Sequence, residues 1–139
     1  SLLIGERTAE QIKIQVGAAM KDIDNPPDDF PVNGRDLVTG IPKQIMVSYQ
    51  EIAEALDKSI FKIEEAILKA LEQTPPELAA DIYRRGLYIT GGGALLRGLD
   101  KRIGNKIKLP VHIADDPLKS VVRGTGIALK NYSRYPFVM

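Results

Sequence analysis

The sequence predicts an α/β fold whose first half has α+β character, on three observations. Residues 87–114 run from an apolar, β-forming stretch through a glycine-rich turn and a helical stripe to a second apolar stretch, the order of a strand, a crossover helix and a parallel strand. Residues 30–47 hold short apolar runs interrupted by Asn33-Gly34 and Thr39-Gly40, the pattern of a hairpin. Between the two, residues 48–71 carry a single apolar stripe at helical spacing.

At 139 residues the chain is long enough to bury an ordinary core as one domain, with room for two lobes. Lys and Arg number 19 against 18 Asp and Glu, a formal charge of +1, so no global field draws the chain to nucleic acid or to an anionic membrane. Any partner is recognised locally. Cysteine is absent, which excludes disulfide frameworks, cysteine zinc sites and thiol nucleophiles and fits a reducing, cytoplasmic setting. Neither a signal-peptide pattern nor an uninterrupted apolar run of about 18 residues occurs, so the sequence reads as neither secreted nor membrane-spanning. A helical pattern begins almost directly after Ser1-Leu2, and a piece of a longer protein is therefore expected.

Taken in order, Ala9, Ile12, Val16 and Met20 predict a helix over 5–18 that stops at Gly17, with Glu6, Glu10 and Lys13 on its other face. Residues 21–31 include Asp22, Asp24, Asn25, Pro26, Pro27, Asp28 and Asp29, the composition of a solvated loop. A calcium loop is rejected because Pro26 takes a ligand position and the required Gly and distal Glu are missing. The hairpin is expected to turn at Thr39-Gly40, with Pro42 at a strand start or edge. Ser48-Tyr49-Gln50-Glu51 is a capping box. Behind it Ile52, Leu56, Ile60, Ile63, Ile67 and Leu71 form the core-facing stripe of one long helix, or of two meeting near Asp57-Lys58-Ser59.

Thr74 as cap, Pro75 at the first turn and Glu77 three residues after the cap predict a short helix, with Arg84 and Arg85 at its carboxyl end and Gly86 as its stop. Leu87-Tyr88-Ile89-Thr90 reads as a buried strand, Leu95, Leu96, Leu99 and Ile103 as the stripe of the helix that follows, and 109–114 as the second strand. Asp116-Pro117 starts a last helix through Val121, Val122, Ile127 and Ala128, and the aromatic tail 131–139 is expected to dock on the body. His112 faces away from Val111 and Ile113 and has no second histidine for a metal site. Lys101, Arg102, Lys106 and Lys108 read as a solvated helix end.

The string with chemical content is Tyr88-Ile89-Thr90-Gly91-Gly92-Gly93-Ala94-Leu95-Leu96. Three glycines between a strand and a helix strip the turn of side chains, so a ligand can approach the backbone, and amides at a helix start favour phosphate or the polar edge of a nucleotide. No Gly-Lys-Ser/Thr follows, which rules out a P-loop. A dinucleotide fingerprint comes closer, with Gly91, Gly93 and then Asp115 or Asp116 beyond the second strand, but Leu96 stands where a small residue is needed.

Five separated strings resemble the MreB family of bacterial actin homologues, the rod shape-determining proteins. They are Leu3-Ile4-Gly5-Glu6-Arg7-Thr8-Ala9-Glu10-Gln11-Ile12-Lys13, Gly34-Arg35-Asp36-Leu37-Val38-Thr39-Gly40, Thr74-Pro75-Pro76-Glu77-Leu78-Ala79, Gly91-Gly92-Gly93-Ala94-Leu95-Leu96-Arg97-Gly98-Leu99, and Asp116-Pro117-Leu118 with Arg123-Gly124-Thr125-Gly126. The likeness departs chiefly in the loop 21–29 and after Lys130.

The resemblance implies the actin, sugar-kinase and Hsp70 nucleotide-binding fold, with two domains closing over ATP and magnesium. Residues 1–73 would form the outer lobe of the second domain and 74–139 the later part of its inner lobe. It places Gly91, Gly92, Gly93 and Ala94 against the nucleoside and Glu6, Glu10 and Lys13 on the opposite side of adenine and ribose. Read from spacing alone, those three are an exposed face with an ion pair three residues apart. Gly124-Thr125-Gly126 resembles the second interdomain connection, a hinge, although ordinary packing through small residues fits the same run. The implied function is ATP-dependent polymerisation into filaments that organise wall synthesis beneath the inner membrane, with partners among cell-shape and wall-synthesis membrane proteins.

Phosphoryl transfer needs carboxylates on magnesium and loops gripping the phosphates. No string here supplies them, nor the family's membrane anchor; both are expected upstream. No catalytic or metal-ligating residue is therefore assigned, and the chain alone is expected to lack significant ATPase activity. Two other classes stay open: a small dinucleotide-binding module using Gly91 to Gly93 with Asp115, and a nucleotide-free interaction domain.

Overall fold

The computed structural model describes residues 1–135. In chain order the elements are β1 (Leu2–Leu3), α1 (Glu6–Val16), β2 (Phe30–Asp36), β3 (Pro42–Val47), α2 (Tyr49–Glu72), α3 (Pro76–Arg85), β4 (Leu87–Ile89), α4 (Leu99–Ile107), β5 (Val111–Ile113) and α5 (Ser120–Lys130). Single 3-10 turns cover Gly92–Leu95 and Tyr132–Arg134. Strands β1, β2 and β3 form an antiparallel sheet in that order, and β4 and β5 form a parallel pair around α4.

The hairpin sits where the turn residues put it, with Phe30 opposite Val47 and Arg35 opposite Pro42. Its tip is built on Asp36, whose Oδ1 accepts from the backbone amides of Val38 at 2.8 Å and Thr39 at 3.2 Å while Lys43 Nζ donates to Oδ2 at 3.2 Å. The two amides, then Lys43, hold the Asp36 carboxyl below the usual carboxylate range. The capping box forms as written: Ser48 N donates to Glu51 Oε2 at 2.9 Å, and the Glu51 amide donates to Ser48 Oγ at 3.3 Å. The Ser48 amide, followed by its hydroxyl, lowers the Glu51 pKa likewise.

Both carboxylates are more acidic folded than unfolded, so the stability they contribute is present above the ordinary carboxylate range and is lost as pH falls through it. Urea midpoints measured across acid pH are expected to fall there in the native chain. They should fall less steeply in Asp36→Asn combined with Glu51→Gln, with the gap between the two proteins widest at neutral pH and closing in acid.

Helix α2 is one unbroken helix of 24 residues. It serves two cores. Near its start Ile52 packs on Ile12, Val16, Val32 and Val47; farther along, Leu56, Ile60 and Ile67 pack with Ala19, Leu99, Ile103, Ile89 and Val111. Each well-buried aliphatic side chain among these contributes about 1.5–3 kcal/mol.

Several expectations are corrected. Ile63 is 47% exposed, and the neighbouring Glu64 takes the buried place because an arginine of α4 meets it there. Strand β4 is not fully buried: Ile89 faces the second core, whereas Tyr88 points outward against the His112 ring, with centroids 5.0 Å apart. Thr74 finishes α2 rather than starting α3, its hydroxyl donating to Ala70 O at 2.8 Å, and Pro76 takes the first position of α3. Asp116 adopts φ 47°, a left-handed turn residue rather than a helix cap, and α5 begins only at Ser120. The end of the aromatic tail, 136–139, lies outside the described residues.

Candidate functional site

The glycine turn is held from below. Gly91, at φ 81°, occupies a conformation open to glycine at little cost, and its amide donates to Pro117 O at 2.9 Å. The same carbonyl accepts from the Thr90 hydroxyl at 2.9 Å and the Ser120 hydroxyl at 3.2 Å, tying the turn to the start of α5. Ala94 is buried and donates to Gly91 O at 3.1 Å.

Above this anchor the surface is bare. A Cβ on Gly93 would meet no atom within 4 Å, and its φ is not left-handed, so neither backbone nor packing demands glycine there. A Cβ on Gly92 would only graze Leu118 at 3.4 Å. Among the described residues, the Gly92 and Gly93 amides have no protein acceptor. The turn therefore presents two free N–H groups on a side-chain-free surface, the chemistry that meets an oxygen or ring nitrogen of a ligand.

The turn does not open a helix as expected. It closes into one 3-10 turn, Gly98 at φ 74° then breaks the direction, and α4 starts at Leu99. The dinucleotide reading fails on this geometry, since a pyrophosphate would need the amino end of an α-helix directly after the glycines. Asp115 is an exposed residue whose backbone carbonyl accepts from Arg123 Nη2 at 2.9 Å.

Glu6, Glu10 and Lys13 lie on one exposed face of α1, where Lys13 Nζ donates to Glu10 Oε2 at 2.7 Å. All three rim a groove of about 390 Å³ between α1 and α2, floored by Ile4, Ile12, Ile52 and Leu56. No direct bond joins them to residues 91–94 among the described residues. The carboxyl end of α1 nevertheless abuts the segment that follows the glycine turn. Ala18 bridges Arg97 as a parallel pair, Ala19 N donates to Arg97 O at 2.8 Å, and Arg97 Nη1 donates to Gly17 O at 3.3 Å. A Cβ on Gly17 would stand 2.9 Å from Leu96 Cδ1 and closer still to its own chain at Lys13 O.

Of the basic run, Lys101, Lys106 and Lys108 are exposed as expected, whereas Arg102 is turned inward. Arg102 donates from Nε to Glu64 Oε1 at 2.7 Å and from Nη1 to both Asp57 Oδ1 and Ala19 O at 2.8 Å. Burial lowers its pKa, but the bonds to Glu64 and Asp57 outweigh that and leave it above the ordinary arginine value. Lys101 pairs with Asp24 of the acidic loop, and Lys106 lies 5.4 Å from the Phe61 ring centre. The roles of Arg97 and Arg102 were not anticipated from sequence; the available signal was that Arg102 sits beside Leu99 and Ile103, on the inward phase of α4. A Cβ at Gly124 or Gly126 would meet no atom beyond its own stretch of helix within 4 Å, so no packing through these small residues occurs within the described residues. Among the described residues no helix is long and apolar enough to cross a membrane.

A family model described as MreB/Mbl protein matches residues 1–136. The chain is 47% identical over 135 residues to the cell shape-determining protein Mbl of Bacillus subtilis (strain 168), covering 97% of this chain and 40% of that protein. It is also 47% identical over 131 residues to the cell shape-determining protein MreB of Escherichia coli (strain K12), covering 92% of this chain and 36% of the relative. The crystal structure of MreB5 of Spiroplasma citri bound to ADP superposes with a TM-score of 0.88 at 39% identity, over 96% of this chain and 40% of that one. The chain thus spans about 40% of the length of these relatives.

Proposed function

The chain belongs to the MreB/Mbl family of cell shape-determining proteins and carries part of the actin-like ATPase fold, and from that premise we propose that it is the nucleotide-binding half of a cytoskeletal protein forming ATP-dependent filaments. In this reading residues 1–73 are the outer lobe of the second domain and 74–139 the later part of its inner lobe. Gly91, Gly92, Gly93 and Ala94 form the wall against the nucleoside, and Glu6, Glu10 and Lys13 face it from α1. Magnesium and the phosphate-gripping loops belong to the remainder of the family's length. So do the contacts with wall-synthesis membrane proteins beneath the inner membrane.

The observation that carries the reading is Gly93. It is a glycine that neither the backbone nor the packing of this chain requires, at a turn with two free amides. Its lack of a side chain keeps open a space that a nucleoside can enter.

The test is a calorimetric titration of ATP with magnesium into the chain, into Lys13→Ala and into Gly93→Val. Binding is expected in the native chain and at least about tenfold weaker in each variant, or 1.4 kcal/mol of affinity. Gly93→Val should keep the native thermal midpoint. A Gly93→Val protein that binds like the native chain would remove the glycine turn from the site and defeat the proposal.

A further inference from the structure

The carboxyl end of α1 meets the segment that follows the glycine turn at one short junction. Residues 17–19 lie against 96 and 97, and the fit is tight: Ala18 and Ala19 are wholly buried, and Gly17 packs under Leu96. Two guanidinium groups, one before and one after Gly98 in the chain, bond to the junction. Arg97 takes the Gly17 carbonyl and gives its own carbonyl to the Ala19 amide, while Arg102 takes the Ala19 carbonyl. Arg102 is in turn fixed by Glu64 and Asp57 on α2, at 2.7 and 2.8 Å. Lys13 stands one helical turn before this junction, with its own carbonyl accepting from Gly17 N, and Ala94 stands three residues before Arg97.

We infer that Arg97 and Arg102 are positioning residues of the nucleotide site, locking residues 17–19 onto 96 and 97 so that the α1 wall and the glycine wall keep a fixed separation. The inference rests on the nucleotide reading above. Neither arginine touches the ligand. A charged fork on a backbone carbonyl suits the task because it is strong and directional, and a backbone acceptor cannot rotate away as a side chain can. Loss of the lock lets the two walls drift, and only the fraction of molecules with the right spacing binds well.

The absence of cysteine permits a direct test on the whole chain, with spin labels at Gln15→Cys and Leu95→Cys, both exposed positions outside the proposed site. The distance distribution between the labels is expected to be narrow. In Arg97→Met combined with Arg102→Lys, which keeps a cation beside Glu64, it should be about twofold broader, and affinity for ADP about tenfold weaker as the competent fraction falls to about a tenth. Restoring Arg102 and placing Lys at 97 should recover part of both.

A merely structural role would lower the thermal midpoint and leave the distribution width, read well below that midpoint, unchanged; that result overturns the inference. A broadened distribution with undiminished ADP affinity overturns it as well. If the native chain binds no nucleotide while the width still responds to the arginines, the nucleotide reading fails and the lock is left as a structural device only.

Discussion

Arg102→Met is expected to destabilise the fold by about 3–5 kcal/mol, because it strands the Glu64 carboxylate where water does not reach. Glu64 is 4% exposed and has the Arg102 Nε–H at 2.7 Å. The attraction within such a pair does little more than offset the cost of drying two ions, so the loss on removing one partner is chiefly the penalty of the orphan left behind. Asp57 adds little, since its side chain is 65% exposed and water screens the contact. Arg102→Met with Glu64→Leu should therefore recover a good part of the loss. Recovery stays incomplete because the Ala19 carbonyl, in a wholly buried residue, loses its donor, leaving a residual of about 1–3 kcal/mol. Urea unfolding of the native chain, the single variant and the double variant measures all three quantities. A single variant within 1 kcal/mol of native, on the scale of a surface pair, would contradict this account.

Ile103→Ala should cost about 2–5 kcal/mol and Ile103→Val about 0.5–1.5 kcal/mol. Ile103 is 1% exposed and packs among Ala19, Ile60 and Leu99, where α2, α4 and the tail of α1 converge. Rigid elements on several sides leave little room for the cavity to collapse, which places the alanine variant toward the upper part of that range. The slope of the unfolding transition is expected to hold while its midpoint falls, the sign that native stability rather than the unfolded state has changed. An alanine variant no weaker than the valine one would show that the site relaxes to fill the hole.

Local chemistry was readable in advance. The capping box at Ser48, the hairpin closing on Gly40, proline opening β3 and the end of α3 at Gly86 each depend on a few neighbouring residues and formed where those residues stand. The parallel pair of β4 and β5 was readable too, since two apolar runs with a helical stripe between them have few ways to close. Strand β1 was not: Leu2 and Leu3 are too few to show a period, and their partners Asp36 and Arg35 lie far along the chain. Nor was the continuity of α2 across Asp57, which depends on packing from elements distant in sequence.

The glycine turn divides along the same line. By itself the sequence determined that residues 91–93 are bare backbone between two strands of a parallel pair, because the identity of glycine is local and needs no partner. Only the tertiary structure decided that the turn closes on the Pro117 carbonyl instead of opening α4, that the Gly92 and Gly93 amides find no acceptor among the described residues, and that the chain after α1 is bound to this region through Arg97 and Arg102. The physical reason is that a hydrogen bond to a carbonyl many residues away depends on where the chain has carried that carbonyl, and the spacing of residue types does not record it.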